Sequence, residues 1–214
     1  MRCVLYGVGT PYVYDVCESL LRLGWEPVAL IANAPEAPRP DDLGKVVDEL
    51  DEVWSALPIL FPLLTPGYRK RLHEQLAERG YRERAALVDP TAIVASSAEI
   101  LPGTMVNAGA LLAAKVRLGE QVVVNRSASI GHHTQLDDYA TIGPGCVLCG
   151  SCRIEQGAFL GGGAVVAPDR TVGANSIVGA GAVVVRDVPA HSVVVGNPAR
   201  VIRSGIAGYN DVGV

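Results

Sequence analysis

The chain has 214 residues, with 18 Lys and Arg against 22 Asp and Glu, so its formal net charge of -4 leaves no basic stripe for nucleic acid. It is 49% hydrophobic but only 5% aromatic, which suits a core of Val, Ile, Leu and Ala in one large or two small domains. Residues 1–6 lack the long apolar run of a signal peptide and the apolar stretch from Ala56 to Leu64 is short and broken by Pro58 and Pro62, so a soluble, cytoplasmic protein without membrane insertion is expected.

Arg2 to Tyr6 reads as a buried strand, Gly7-Val8-Gly9-Thr10 as a turn, Val13 to Leu23 as a helix ending near Gly24, and Pro27 to Ala32 as a second strand. A βαβ opening with a Gly-x-Gly turn is how dinucleotide and nucleotide-sugar folds bring backbone amides and a helix N-terminus to phosphate. Gly7, Gly9 and Thr10 are therefore candidate substrate-binding residues, joined by Asn33, which stands where an acidic residue often reads a ribose. The motif is incomplete: Tyr12 occupies the place of a third glycine and Pro11 removes an amide donor, so a simple tight turn is the competing reading. Further on, Thr65-Pro66-Gly67 leads into a helix over Tyr68 to Arg79, with Leu72 and Leu76 on one face and Gly80 at its end. Its Arg69-Lys70-Arg71 run is expected to be a solvated face.

From Val88 to Val184 every sixth residue is aliphatic without a slip in phase, seventeen hexads in all. A period of six fits neither helix nor simple strand and marks a solenoid. Four places after each aliphatic residue the chain usually carries a small one, such as Thr104, Ala110, Ala128, Thr134, Ala140 and Ala158, which describes a narrow dry interior. Places two and three hold turn formers, as in Pro102-Gly103, Pro144-Gly145 and Gly162-Gly163, and these are the corners. Cys146, Cys149 and Cys152 spell C-x2-C-x2-C, but the phase puts Cys146 and Cys152 inside and Cys149 outside, so the thiolates do not converge and no metal is expected. Arg170 falls in an interior slot, where it either bulges the coil or reaches an acidic partner.

One corner departs from the turn-former rule. In Ile130-Gly131-His132-His133-Thr134-Gln135, two of the four histidines of the chain occupy positions that elsewhere hold Pro, Gly, Asp or Asn. On pattern alone this is either a polar corner facing solvent or a site.

The hexads, together with Asn125-x-x-Ala128-x-Ile130-Gly131-His132, Asp138-Tyr139-x-x-Ile142-x-Pro144-Gly145, Gly161-x-Gly163-Ala164-Val165-Val166 and Asp187-Val188-Pro189 followed by Val195-Gly196-Asn197-Pro198-Ala199-Arg200, resemble the hexapeptide-repeat acyltransferases. Within them the closest resemblance is to the sialic acid O-acetyltransferase and PglD-type sugar N-acetyltransferase family, close over residues 85–203 and loose over 1–84. It implies an α/β, Rossmann-like nucleotide-sugar-binding domain over 1–84, an all-β left-handed parallel β-helix with three hexads to a coil over 85–203, and a tail over 204–214.

The resemblance further implies acetyl-CoA as co-substrate, lying between neighbouring subunits of a homotrimer. Thr141, Gly150, Gly162 and Ala180 align with its pantetheine contacts, and the Gly150 amide with the donor that steadies the thioester oxyanion. The outward apolar surface such a trimer needs is expected around Val122-Val123-Val124. His132 matches the family's general base: an attacking amine or hydroxyl must lose a proton, which an imidazole accepts at neutral pH. Family members commonly carry Asp or Glu directly after this histidine, whereas here His133 follows, so either Asp137 or Asp138 assists or the base works with less help. His132 and His133 are the candidate catalytic residues. The implied activity is N-acetylation of a nucleotide-linked amino sugar in bacterial surface-glycan synthesis; the alternatives are O-acetylation of a sugar hydroxyl and a non-catalytic scaffold. A zinc carbonic anhydrase on the same β-helix needs three converging histidines, and His73 and His191 lie outside the repeat.

Overall fold

A computed structural model of the chain describes residues 1–32, 40, 43, 46–47, 49–54, 56–81 and 85–214. The N-terminal head is a parallel sheet in the order β3-β2-β1-β4, formed by β1 (Arg2–Tyr6), β2 (Glu26–Ile31), β3 (Val46–Val47) and β4 (Ile59–Leu60). Helix α1 (Tyr12–Leu23) makes the crossover from β1 to β2, burying Val13, Val16 and Leu20. Gly24 ends it at φ 66°, a left-handed conformation in which its amide meets the last carbonyls. Helix α2 (Pro66–Glu78) starts two residues before the expected Tyr68, because proline at a first turn has its φ pre-set and no amide to waste.

Both faces of the head sheet are covered. Leu72 and Leu76 of α2 pack with Val4, Ile31 and Phe61 on one side. On the other, Cys3 and Leu5 meet α1 together with Leu87, Met105 and Val123, three outward residues of the solenoid. Burial also pushes the Cys3 thiol up to about 12.

The solenoid is a three-faced parallel β-helix whose strands pair with those 18 residues away, as in Val123 with Thr141 and Val124 with Ile142. Its first face runs from Leu87–Val88 through Ile177–Val178 to Ser192–Val195, which pairs antiparallel with Arg200–Ser204. The second runs from Ile93–Val94 to Val183–Val184 and the third from Glu99–Ile100 to Thr171–Val172. The hexad aliphatics and small residues form one interior, including Leu112, Leu118, Ile130, Ile142, Ala128 and Ala158. Each large aliphatic buried this way contributes about 1.5–3 kcal/mol. At the corners from Gly103 onward to Gly181 the third-place residue is left-handed whatever its type, as in Gly145 at φ 65°, Ser127 at 55°, Asp169 at 56° and His133 at 58°.

The faces differ in what covers them. Leu87, Met105, Val123 and Thr141 of the first face are buried beneath the head. The expectation that Val122-Val123-Val124 form an outward surface is therefore corrected: Val122 and Val124 fill the interior, and Val123 packs against the head. The second face carries the exposed apolar row, with Ile93, Leu111 and Val147 at 67%, 36% and 38% exposure. The third is polar, with Arg153 bound to Asp137 at 3.0 Å and Arg117 near Glu99 at 3.8 Å.

Arg69 corrects a second expectation. Instead of facing solvent it is 0% exposed, because its side of α2 looks onto the solenoid and the seam there is lined with oxygen acceptors. Its guanidinium donates to the carbonyls of Gln121 (3.0 Å), Leu63 (2.8 Å), Leu64 (2.9 Å) and Tyr139 (2.6 Å). Burial pushes its pKa down to about 9, so it stays charged at neutral pH. Lys70 and Arg71 do face outward, Lys70 against Glu74 and Arg71 over the Tyr68 ring.

A second joint ties α1 to the first coil. Buried Asp89 accepts hydrogen bonds from Ser19 Oγ (2.6 Å), Arg22 Nε (2.9 Å), and the amide and hydroxyl of Thr91 (2.9 and 2.6 Å). Its desolvation alone raises the pKa, but these donors outweigh it and hold the carboxyl at about 2.

The last residues run back along the first face: Tyr209 stacks on Phe159 at 3.6 Å and Asn210 donates to Thr65 at the start of α2. Arg170 causes no bulge, since Thr171 and Val172 stay in register with Arg153 and Ile154. Its side chain turns outward to Asp187 at 3.5 Å, the second of the two outcomes foreseen for it.

Candidate active site

His132 sits at a corner between the second and third faces, exposed, with Gly150 stacked one coil above it. The Ser151 amide donates to the His132 carbonyl at 2.8 Å, which fixes the two coils against each other. Gly150 adopts φ 127°, and a Cβ there would lie 3.1 Å from Cε1 and 3.2 Å from Nε2 of the His132 ring. The imidazole therefore rests on a seat that only glycine leaves open.

The next residue completes the corner. His132 Nδ1 and His133 Nδ1 lie 3.2 Å apart, with the rings edge to face at 83°. The carboxylates considered as assistants are engaged elsewhere: Asp137 with Arg153, and Asp138 with the amide of Glu120 at 2.8 Å. The other histidines do not join the pair, because His73 contacts the Tyr139 hydroxyl at 2.7 Å and His191 the Ile206 carbonyl at 3.0 Å. Among the described residues no group of three or more His, Cys, Asp or Glu could hold a metal ion. Cys146 and Cys152 are buried and Cys149 exposed, as the hexad phase requires.

The corners also leave backbone donors unspent. The amides of Cys149 and Ser151 bond to Val166 and His132, whereas that of Gly150 between them meets no backbone carbonyl among the described residues. Gly162 and Ala180 repeat this arrangement on the corner at the other edge of the second face, Gly162 half-exposed and Ala180 exposed. A missing side chain at Gly162 leaves its surface open above Pro144, the nearest atoms to a Cβ being 3.4 Å away. Amides without a backbone partner among the described residues thus lie at both edges of the second face, Gly150 on one and Gly162 and Ala180 on the other, which fits a thin, partly apolar ligand that offers acceptors to them.

Thr141 does not share that surface. It is 1% exposed, and its hydroxyl accepts from Arg69 and donates to the Leu64 carbonyl at 2.8 Å, so its side chain belongs to the seam between head and solenoid. The aligned position reads as a ligand contact in the sequence only because α2 and Leu64 are invisible there.

In the head, Gly7 is left-handed at φ 91°, with Leu63 Cδ1 3.0 Å from where a Cβ would stand. Its amide and that of Val8 are spent on the Ile31 carbonyl, so Gly7 shapes the turn rather than offering a donor. Gly9 and Thr10 line a pocket of about 230 Å³ with Val8, Pro11, Val13, Tyr14 and Pro40. The Thr10 hydroxyl donates to the Pro62 carbonyl at 3.0 Å. Asn33 lies outside the described residues. Tyr12, at the third-glycine position, is buried, and its hydroxyl accepts from Asn107 Nδ2 at 2.6 Å, so this departure from the glycine motif serves docking onto the solenoid. No solenoid residue lines the head pocket.

Comparison with known proteins agrees with this architecture. The bacterial transferase hexapeptide family (six repeats) matches residues 151–186. A histidine-to-asparagine variant of perosamine N-acetyltransferase from Caulobacter crescentus, solved with CoA and GDP-perosamine, is 28% identical with a TM-score of 0.85, covering 94% of this chain and 97% of that one. The acetyltransferase domain of PglB from Neisseria gonorrhoeae, solved with acetyl coenzyme A, is also 28% identical, with a TM-score of 0.84 over 94% of this chain and 98% of that one. WeeI from Acinetobacter baumannii shares the fold at 23% identity and a TM-score of 0.81, covering 94% of this chain and 100% of that one. No curated protein sequence matches the chain. Hexad periodicity, corner geometry and likeness over head and solenoid together give the chain the fold of the hexapeptide-repeat sugar N-acetyltransferases that it resembles.

Proposed function

We propose that this protein transfers the acetyl group of acetyl-CoA to the amine of an amino sugar carried on a nucleotide diphosphate, a step of bacterial surface-glycan synthesis in the cytoplasm. The observation that carries this reading is the pairing of an exposed corner histidine, seated on Gly150, with a head-plus-solenoid likeness covering 94% of the chain to a protein solved with CoA and GDP-perosamine.

In this reading residues 1–84 hold the nucleotide sugar at the pocket of Gly9 and Thr10, residues 85–203 carry the transfer site, and 204–214 form the tail that straps them together. The pantetheine lies against Gly162 and Ala180, and the thioester carbonyl points at the free amide of Gly150. The sugar nitrogen attacks the carbonyl carbon while His132 Nε2 takes its proton; the tetrahedral intermediate then collapses, the C–S bond breaks, and the thiolate leaves with the proton held by the imidazolium. Positioning and oxyanion stabilisation supply most of the rate.

The head pocket and His132 share no lining residue within one chain, and the second face leaves an apolar row uncovered. Both features support a homotrimer in which one subunit's acceptor meets its neighbour's His132. Incubating the protein with acetyl-CoA and UDP-, dTDP- and GDP-linked amino sugars, beside matched sugars bearing only hydroxyls, tests the reading. Amide formation on an amino sugar is expected; ester formation alone moves the assignment to O-acetylation.

A further inference from the structure

We infer that His133 is a positioning residue: its Nδ1 accepts the Nδ1 proton of His132 and thereby holds His132 in the tautomer whose Nε2 is free to act as base. The inference rests on the general-base role proposed for His132 and assigns a task to the residue that replaces the customary acid.

The two Nδ1 atoms are 3.2 Å apart, and between two neutral imidazoles one must donate and the other accept. With Nδ1 of His132 occupied, the nitrogen left for substrate is Nε2, which is also the nitrogen beside the Gly150 seat, 3.2 Å from its absent Cβ position. If His133 were the donor, the single proton of His132 would sit on Nε2 and the ring could not accept another there. A working base therefore requires the opposite direction: His132 Nδ1–H donates, and His133 carries its own proton on Nε2. The edge-to-face arrangement at 83° and the left-handed backbone of His133, φ 58°, hold the two nitrogens together, and no carboxylate takes the place of His133, since Asp137 and Asp138 are engaged with Arg153 and the Glu120 amide. When Nε2 takes the amine proton, the His133 lone pair still faces the imidazolium N–H, so the bond persists through the step. Protonated His133 could not accept, and the orientation would be lost.

The test uses the full-length protein labelled with ¹⁵N in its histidine rings, four in number, with His132 assigned by the signal missing from His132→Ala. Long-range ¹H–¹⁵N spectra should show wild-type His132 protonated at Nδ1. His133→Gly and His133→Asn both tolerate the left-handed corner, but only asparagine offers an acceptor. Asparagine should keep the Nδ1–H tautomer and kcat within about threefold, while glycine should shift His132 toward Nε2–H and lower kcat about 10- to 1,000-fold with the KM for acetyl-CoA little changed. An Nε2–H tautomer in the wild type, or a His132 signal and kcat unmoved by His133→Gly, overturns the inference. Loss of function equal in both variants overturns it as well. The spectra stand apart from turnover: the expected tautomers in a protein that acetylates no amino sugar would sink the proposed activity and leave the His132–His133 relation intact.

Discussion

Arg69 on α2 donates to the hydroxyl of Thr141 on the solenoid at 2.8 Å, a bond that spans 72 residues of sequence and lies wholly within the buried seam. The same guanidinium meets the carbonyls of Gln121 and Tyr139, so one side chain fixes the head against two coils of the solenoid. Arg69→Met should leave those acceptors without donors and cost about 3–5 kcal/mol in urea denaturation, with the head losing structure before the solenoid. A cost near zero would mean that water replaces the guanidinium freely.

Asp89 gives a pH signature. Its carboxyl is held at about 2 against an ordinary 3.8, so as acid is added the unfolded chain takes up this proton first. Its stabilising effect is complete above about pH 4 and drains away toward about pH 2, a contribution on the order of 1–3 kcal/mol. Asp89→Asn should lower stability at pH 7, with the gap to wild type closing across that window. A gap independent of pH would show that the charge of Asp89 carries no stabilisation.

Much of this was legible from residues alone. The hexad phase located the solenoid strands from Leu87–Val88 to Val183–Val184, though not Ser192–Val195 or Arg200–Ser204 beyond them, because a narrow interior admits only aliphatic and small side chains at fixed places, as Ile142 and Ala158 show. The histidine corner stood out for the same reason. What the pattern could not carry was which outward face meets what. Arg69, Thr141 and Val123 look like surface residues to a one-dimensional reading and become buried only when the head docks on the first face. The His132–His133 contact depended on a left-handed φ at His133, a property of the corner rather than of histidine.

Gly150 tests the seat of the His132 ring. Gly150→Ala brings a Cβ to 3.1 Å from the His132 ring on a backbone at φ 127°, so the imidazole must move. The expected loss in kcat/KM is about 10- to 100-fold in a folded protein. Unchanged kinetics would separate Gly150 from the geometry of His132.

The exposed row on the second face predicts assembly. Light scattering should report about three times 22.4 kDa. Leu111→Asp with Val147→Asp should reduce that mass and abolish activity together; an active monomer would remove the shared site between subunits.

The most direct measurement compares steady-state turnover of wild type and His132→Ala with acetyl-CoA and the nucleotide amino sugar that wild type accepts, alongside acetyl-CoA binding by calorimetry. The account predicts a fall in kcat of about 100- to 10,000-fold with acetyl-CoA affinity nearly unchanged, since a general base acts in the transition state. Wild-type turnover in a folded His132→Ala protein would contradict it.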